Sequence, residues 1–210
     1  REAVISAIAH EMRATKHQGG RIMLVAGVAV VATGGGHHVV RLIELGYVNL
    51  LFAGNDLALH DAAQAIYSSD RPENRLRAAN AIHAAGGLRP AVASGLLSRG
   101  VLYTCLKRGV DLVLAGSVRD EGFLPEAITD AQQAQQVLWE KARDVSLALM
   151  VATGLYSQAA SRLLPADAWA IYADLDPSRV NQMAQRSPYR TVGLVTDAEP
   201  FLHMLLGYLE

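Results

Sequence analysis

The stretch Ile22-Met23-Leu24-Val25-Ala26-Gly27-Val28-Ala29-Val30-Val31, closed by Thr33-Gly34-Gly35-Gly36, is too uniformly apolar for a strand with one wet face. Rich in β-branched residues, it reads as a strand buried on both sides, the pattern of a parallel sheet covered by helices. The whole apolar run is far shorter than the roughly 20 residues that cross a bilayer, so no membrane span is expected. Downstream, Val39-Val40, Leu42-Ile43 and Leu45 recur at helical period, Gly46 stops the helix, and Val48-Asn49-Leu50-Leu51-Phe52-Ala53 supplies a second strand. Upstream, Ala3-Val4-Ile5, Ala7-Ile8 and Met12 form an opening helix that ends at Gly19-Gly20.

The same unit returns four times. Asp111–Ala115 precedes Gly116-Ser117, Val145–Met150 precedes Ala152-Thr153-Gly154, Trp169–Ala173 precedes Asp174, and Thr191–Val195 precedes Thr196-Asp197. Strands alternating with helices predict an α/β fold, Rossmann-like and doubly wound, with a mainly parallel sheet of about six strands. The stretch from Asn55 to Arg108 breaks the alternation, because its apolar periods are all helical; it predicts a helical insertion of about residues 55–108 within a single domain spanning 1–210. In such sheets the ligand lies beyond the carboxyl ends of the strands. Thr33–Gly36, Gly54–Asp56, Gly116–Gly122, Thr153–Tyr156, Asp174–Asp176 and Thr196–Asp197 should therefore share one rim.

Composition excludes several functions. With 19 Lys and Arg against 20 Asp and Glu the net charge is -1, and 6% of residues are aromatic, so neither a basic footprint nor a stacking platform for nucleic acid is present. The lone Cys105 forms no internal disulfide and fits a reducing compartment, and no Cys/His spacing suggests a metal. Arg1-Glu2-Ala3-Val4 has neither the apolar core nor the cleavage site of a signal peptide, so a cytoplasmic location is expected. The motifs of P-loop nucleotidases, nucleophile-elbow hydrolases and HExxH metalloproteases are missing.

The rim residues suggest a phosphate-bearing ligand. Three glycines after a strand let backbone N–H groups approach a phosphate at a helix start, although Val39 occupies the third glycine position of GxGxxG. Two strand-end carboxylates, Asp56 and Asp174, could accept hydrogen bonds from ribose hydroxyls; Asp56 lies 20 residues after Gly36, while Asp174 ends the cleaner strand. Helix capping is the alternative for both. Gly116-Ser117-Val118-Arg119-Asp120-Glu121-Gly122 gathers a cation and two carboxylates between glycines. Lys107 and Arg108 end a helix, where cations meet the carbonyl end of the dipole.

Taken in order, Thr33-Gly34-Gly35, Gly54-Asn55-Asp56-Leu57-Ala58-Leu59-His60-Asp61, Leu112–Pro125, Ala152-Thr153-Gly154-Leu155-Tyr156-Ser157, Asp174-Leu175-Asp176-Pro177 and Gly193–Asp197 resemble the archaeal-type ornithine cyclodeaminases, or LOR/SDH proteins. The resemblance runs from about Val25 to Leu209. It implies a Rossmann-like domain, related to the NAD-binding fold of deoxyhypusine synthase, that holds NAD. The implied contacts are Thr33, Gly34, Gly35, Asn55, Asp56, Asp120, Thr153, Gly154, Leu155, Tyr156, Asp174 and Asp197, with Asp174 on the adenosine ribose. It further implies conversion of a small basic amino acid, ornithine to proline and ammonia, with NAD regenerated each turn. Asp120 and Glu121 would be the acid/base pair and Lys107 a weaker base. Homo-oligomerisation, and work with a separate partner chain or a preceding domain, are expected. The chain departs from the family at Ala63, at the shortened Asp70–Asn74 stretch, at Asp56, at Tyr156 and at Glu121. These departures leave a second expectation open, an NAD-binding module or subunit without cyclodeaminase activity.

Overall fold

The structure, a computed structural model, describes residues 1–117, 120, 122–186 and 190–210. In chain order the elements are α1 (Glu2–His17), β1 (Arg21–Ala26), α2 (Ala29–Ala32), α3 (Gly36–Glu44), β2 (Leu50–Gly54), α4 (Asn55–Tyr67), α5 (Pro72–Ala85), α6 (Leu88–Ala93), α7 (Gly100–Arg108) and β3 (Asp111–Ala115). There follow β4 (Ala127–Ile128), α8 (Ala131–Ala142), β5 (Val145–Val151), α9 (Gly154–Ser161), β6 (Trp169–Asp174), α10 (Pro177–Arg186), β7 (Thr191–Val195) and α11 (Ala198–Leu209).

The strands form one seven-stranded sheet in the order β4-β3-β2-β1-β5-β6-β7, and every neighbouring pair is parallel. The expected six strands are all there; the seventh is the two-residue β4, which pairs Ala127 and Ile128 with Leu114 and Ala115. A strand that short carries no readable period in the sequence. The helical excursion between β2 and β3 consists of α4, α5, α6 and α7, as the apolar spacing predicts.

Both sheet faces are buried, and β1 shows how. Ile22, Leu24 and Ala26 face a core built with α1, α3, α4, α7 and α11, where Ile5, Met12, Leu51 and Phe201 are fully buried. Met23 and Val25 face the opposite core, with Phe52, Leu138 and Tyr172. Period-two alternation between two apolar layers produces a continuous apolar run.

The end of the first strand differs from the expectation. The strand stops at Ala26, and residues Ala29–Ala32 form α2 instead of extending it to Val31. Val30 buries itself in the same core as Leu24, so the run stays apolar across the change of conformation. Periodicity cannot separate a short buried helix from a strand end; Gly27 marks the break. A Cβ on Gly27 would collide with the carbonyl oxygen of Ala152, so only glycine lets the ends of β1 and β5 come so close.

Spatially, β7-β6-β5-β1-β2-β3 reproduces the strand order 3-2-1-4-5-6 of dinucleotide-binding sheets. Here β5 stands where strand one of that order stands. The chain builds the second half first, then crosses back through α8 to lay β5 against β1. The topological switch point is the crevice between the carboxyl ends of those two strands.

Candidate functional site

A cleft of about 730 Å³ opens at that switch point. Its floor comes from Gly27 after β1 and Ala152-Thr153-Gly154 after β5, and its sides from Asp56, Asp120, Tyr156 and Arg179. The turn after β5 is tightly specified. Ala152 has φ 54°, unusual for a residue with a side chain, and its N–H donates to Ala173 O at 2.8 Å. Thr153 caps α9, its Oγ1 accepting the Tyr156 N–H at 3.3 Å. The N–H groups of the first turn of α9 thus face the cleft with a glycine between them, an arrangement suited to a phosphate.

On one side of the cleft, β2 ends in Gly54. A Cβ there would strike Asp56 Oδ1 and the Tyr156 hydroxyl, so its absence lets both side chains lie across the strand end. Tyr156 also meets Phe52 edge to face, with ring centroids 5.4 Å apart. Asn55 is fully buried; its amide donates to Asp120 Oδ2 (3.2 Å) and Gly122 O (2.7 Å), and its Oδ1 accepts the Leu124 N–H (2.9 Å). Asp120 Oδ2 accepts the Ser117 N–H as well, at 2.8 Å. Asn55 therefore works as a clamp that fixes Asp120 at the cleft.

On the other side, β6 ends in Asp174, buried beside Thr196, whose N–H donates to Asp174 O. Asp174 Oδ2 accepts the Tyr172 hydroxyl at 3.0 Å and Oδ1 the Asp176 N–H at 2.9 Å. Burial and the Asp174 carboxylate beside it push the Tyr172 phenol above its ordinary pKa, so Tyr172 stays a donor. A carboxylate has about four acceptor positions, so these two bonds leave room for hydroxyls of a ligand.

Other residues singled out from sequence lie elsewhere. Thr33, Gly34 and Gly35 follow α2, not a strand. Gly34 lines a separate cavity of about 540 Å³ with His60, Gln64 and Asp70. Thr33 Oγ1 donates to Ala29 O, and Gly35 packs against Glu199 and Leu202 of α11. Asp197 caps α11, accepting the Ala198 N–H at 2.7 Å. Lys107 sits in the last turn of α7, its ammonium 5.7 Å from the Tyr103 ring centroid. That turn leads into the amino end of β3, the opposite end of the sheet from the cleft, so Lys107 does not join Asp120. Glu121, like Val118 and Arg119, lies outside the described residues. Among the described residues no group of three or more His, Cys, Asp or Glu could hold a metal, and no helix is long and apolar enough to cross a membrane.

A family model described as arginine dihydrolase ArgZ-like, C-terminal, Rossmann fold matches residues 6–205. The chain belongs to this ArgZ-like family. The ornithine cyclodeaminase of Methanothermobacter thermautotrophicus is 39% identical over 98% of the chain and 53% of its own length. A crystal structure of a LOR/SDH protein from Methanococcus maripaludis superposes with a TM-score of 0.94 at 36% identity, covering all of this chain and 69% of that one. AgrE in ternary complex with ornithine and NAD+ superposes with a TM-score of 0.94 at 32% identity, over 99% of this chain and 33% of that one. The chain spans about half the length of the archaeal ornithine cyclodeaminases it matches.

The sequence ranks neither glycine turn above the other and gives no sign of Gly27 or of the lining residues Gln158 and Gln182. One signal is there to be read. Asp174 follows Gly154 by 20 residues, the spacing of glycine turn and ribose carboxylate in dinucleotide-binding units, and both flank α9 and β6.

Proposed function

We propose that the chain is the NAD-binding part of an ornithine cyclodeaminase-like enzyme that converts ornithine to proline and ammonia. The observation that carries this reading is the cleft at the β1/β5 switch point, floored by Gly27 and the Thr153-Gly154 turn and lined by Asp56, Asp120 and Arg179, whose guanidinium reaches toward Asp174 at the end of β6. The residues fit a dinucleotide: Gly154 opens α9 at the cleft without a side chain, and the start of that helix offers N–H donors to a phosphate. AgrE, which shares the fold, carries NAD+ and ornithine together, and this supports the same pair of ligands here.

In this reading Thr153, Gly154 and Leu155 bind the diphosphate and Asp174 the adenosine ribose. Tyr156 and Asp56 border the reacting end, at the close of β2. When bound, NAD supplies the hydride acceptor and donor that a redox-neutral cyclisation needs. The protein's own residues do the rest. Asp56 and Asp120 present two carboxylates to a diamine substrate, enough to hold its ammonium groups, and Asp120 takes the proton that the α-ammonium must lose before Cα can be oxidised. Asn55 keeps Asp120 in place through the amide contact at 3.2 Å. Glu121, one residue on, is the second acid/base candidate from the resemblance.

The test is direct. Purified protein incubated with ornithine and NAD should form proline and ammonia with the total NAD unchanged. Tight dinucleotide binding without turnover of ornithine or other basic amino acids would assign the chain to the second reading, a dinucleotide-binding module. Tyr156 and the shortened Asp70–Asn74 stretch, where the sequence departs from the cyclodeaminase pattern, are the observations that favour that reading.

A further inference from the structure

Arg179 is the one Lys or Arg among the described residues that line the cleft, which otherwise carries the carboxylates Asp56 and Asp120. It rises from the first turn of α10, and its side chain is half exposed. Its Nη1 lies 3.9 Å from Asp174 Oδ2 and its Nε 3.3 Å from Asp176 Oδ2. A Cβ built on Gly154 would meet Arg179 Cδ at 3.4 Å, Nε at 3.6 Å and Cζ at 4.0 Å. The guanidinium therefore lies over the first residue of α9, between the helix start and the strand-end carboxylate. Gln158 and Gln182 tie the two helices together at 3.3 Å, which fixes the base from which it reaches.

A diphosphate brings two negative charges into the cleft, and a cation at the helix start strengthens its binding. Helix N–H groups contribute only partial charge, and the glycine turn supplies no formal charge. We infer that Arg179 is the cation that binds the diphosphate of the dinucleotide, and that Asp174 and Asp176 hold its guanidinium ready over Gly154 until the ligand arrives. The inference rests on the NAD-binding reading above and adds to it a residue that the glycine turn alone would not require. On binding, the guanidinium exchanges part of its contact with the two carboxylates for phosphate oxygens, which it can grip with two parallel N–H groups. The same exchange frees Asp174 to accept the ribose hydroxyls. Diphosphate and ribose are then recognised in one concerted rearrangement.

Calorimetric titration of NAD, NADP, ADP-ribose and adenosine into wild type, Arg179→Gln and Arg179→Lys tests this. Arg179→Gln should weaken NAD and ADP-ribose tenfold or more and adenosine less than twofold, with the melting temperature unchanged because the side chain is half exposed. Arg179→Lys should fall between, since a point charge replaces a fork. Raising salt should weaken NAD binding more steeply in the wild type than in Arg179→Gln. Equal NAD affinity in wild type and Arg179→Gln overturns the inference alone, as does a loss confined to NADP, which would place the cation on a 2′-phosphate. A wild type that binds neither NAD nor ADP-ribose overturns both the inference and the reading beneath it.

Discussion

At the scale of single residues, Asp174 is the proposed ribose carboxylate at the end of β6. Its carboxylate faces the end of a buried strand and would sit against a 2′-phosphate, where like charges cost several kcal/mol. NAD should therefore be preferred over NADP by roughly a hundredfold or more. Asp174→Ala should weaken NAD and bring the two dinucleotides close to parity, as read by titrating both. A preference untouched by the substitution would leave Asp174 a capping residue. The same substitution strips the buried Tyr172 hydroxyl of its acceptor, at a cost of about 1–3 kcal/mol in unfolding free energy. Asp174 is legible in the sequence because it ends an apolar run. Its tie to Tyr172 is not, although residues two apart on a strand share a face, because nothing in the letters says which acceptor a buried hydroxyl will find.

At the scale of elements, the contest is between two glycine turns. The sequence offers Thr33–Gly36 and Thr153–Gly154 on equal terms, because glycine content reports backbone freedom and not which strand end a turn follows. The structure separates them: Gly154 opens α9 in the cleft at the switch point, while Gly34 follows α2 and lines a different cavity. Gly154 has ordinary backbone angles, and the nearest atoms to an added side chain belong to the movable Arg179. Gly154→Val should thus keep the melting temperature within a few degrees and abolish NAD binding, measured by calorimetry. Unchanged affinity would remove the turn from the site. The strands, and the purely helical stretch between β2 and β3, are readable from apolar runs and their spacing. The start of α2 and the two-residue β4 are not, because each is too short to show a period.

At the scale of the whole molecule, Asp61 joins the two ends of the helical excursion. It lies on α4 and accepts the N–H groups of Val101 (2.8 Å) and Leu102 (2.9 Å) at the start of α7, with Gly100 at φ 95° turning the chain into it. Burial pushes its pKa up to about 6, against the opposing pull of those two N–H groups. Between the ordinary carboxylate range near 4 and about 6 the folded protein then holds a proton that the unfolded chain has lost. Stability accordingly falls as pH rises through that window and is flat above it. The difference in unfolding free energy between wild type and Asp61→Asn, from urea midpoints, should drop between about pH 4 and pH 6, by at most roughly 1.4 kcal/mol for each tenfold fall in proton concentration. Parallel curves would show that Asp61 does not titrate there. The strand order has a different sort of consequence, in time. The edge of β1 that faces β5 finds its partner only when Val145 has been made, 119 residues after Ala26 (145 − 26). At about 5–20 residues per second a nascent chain carries an open, apolar strand edge for roughly ten seconds during synthesis, a template for pairing with other chains until β5 closes it.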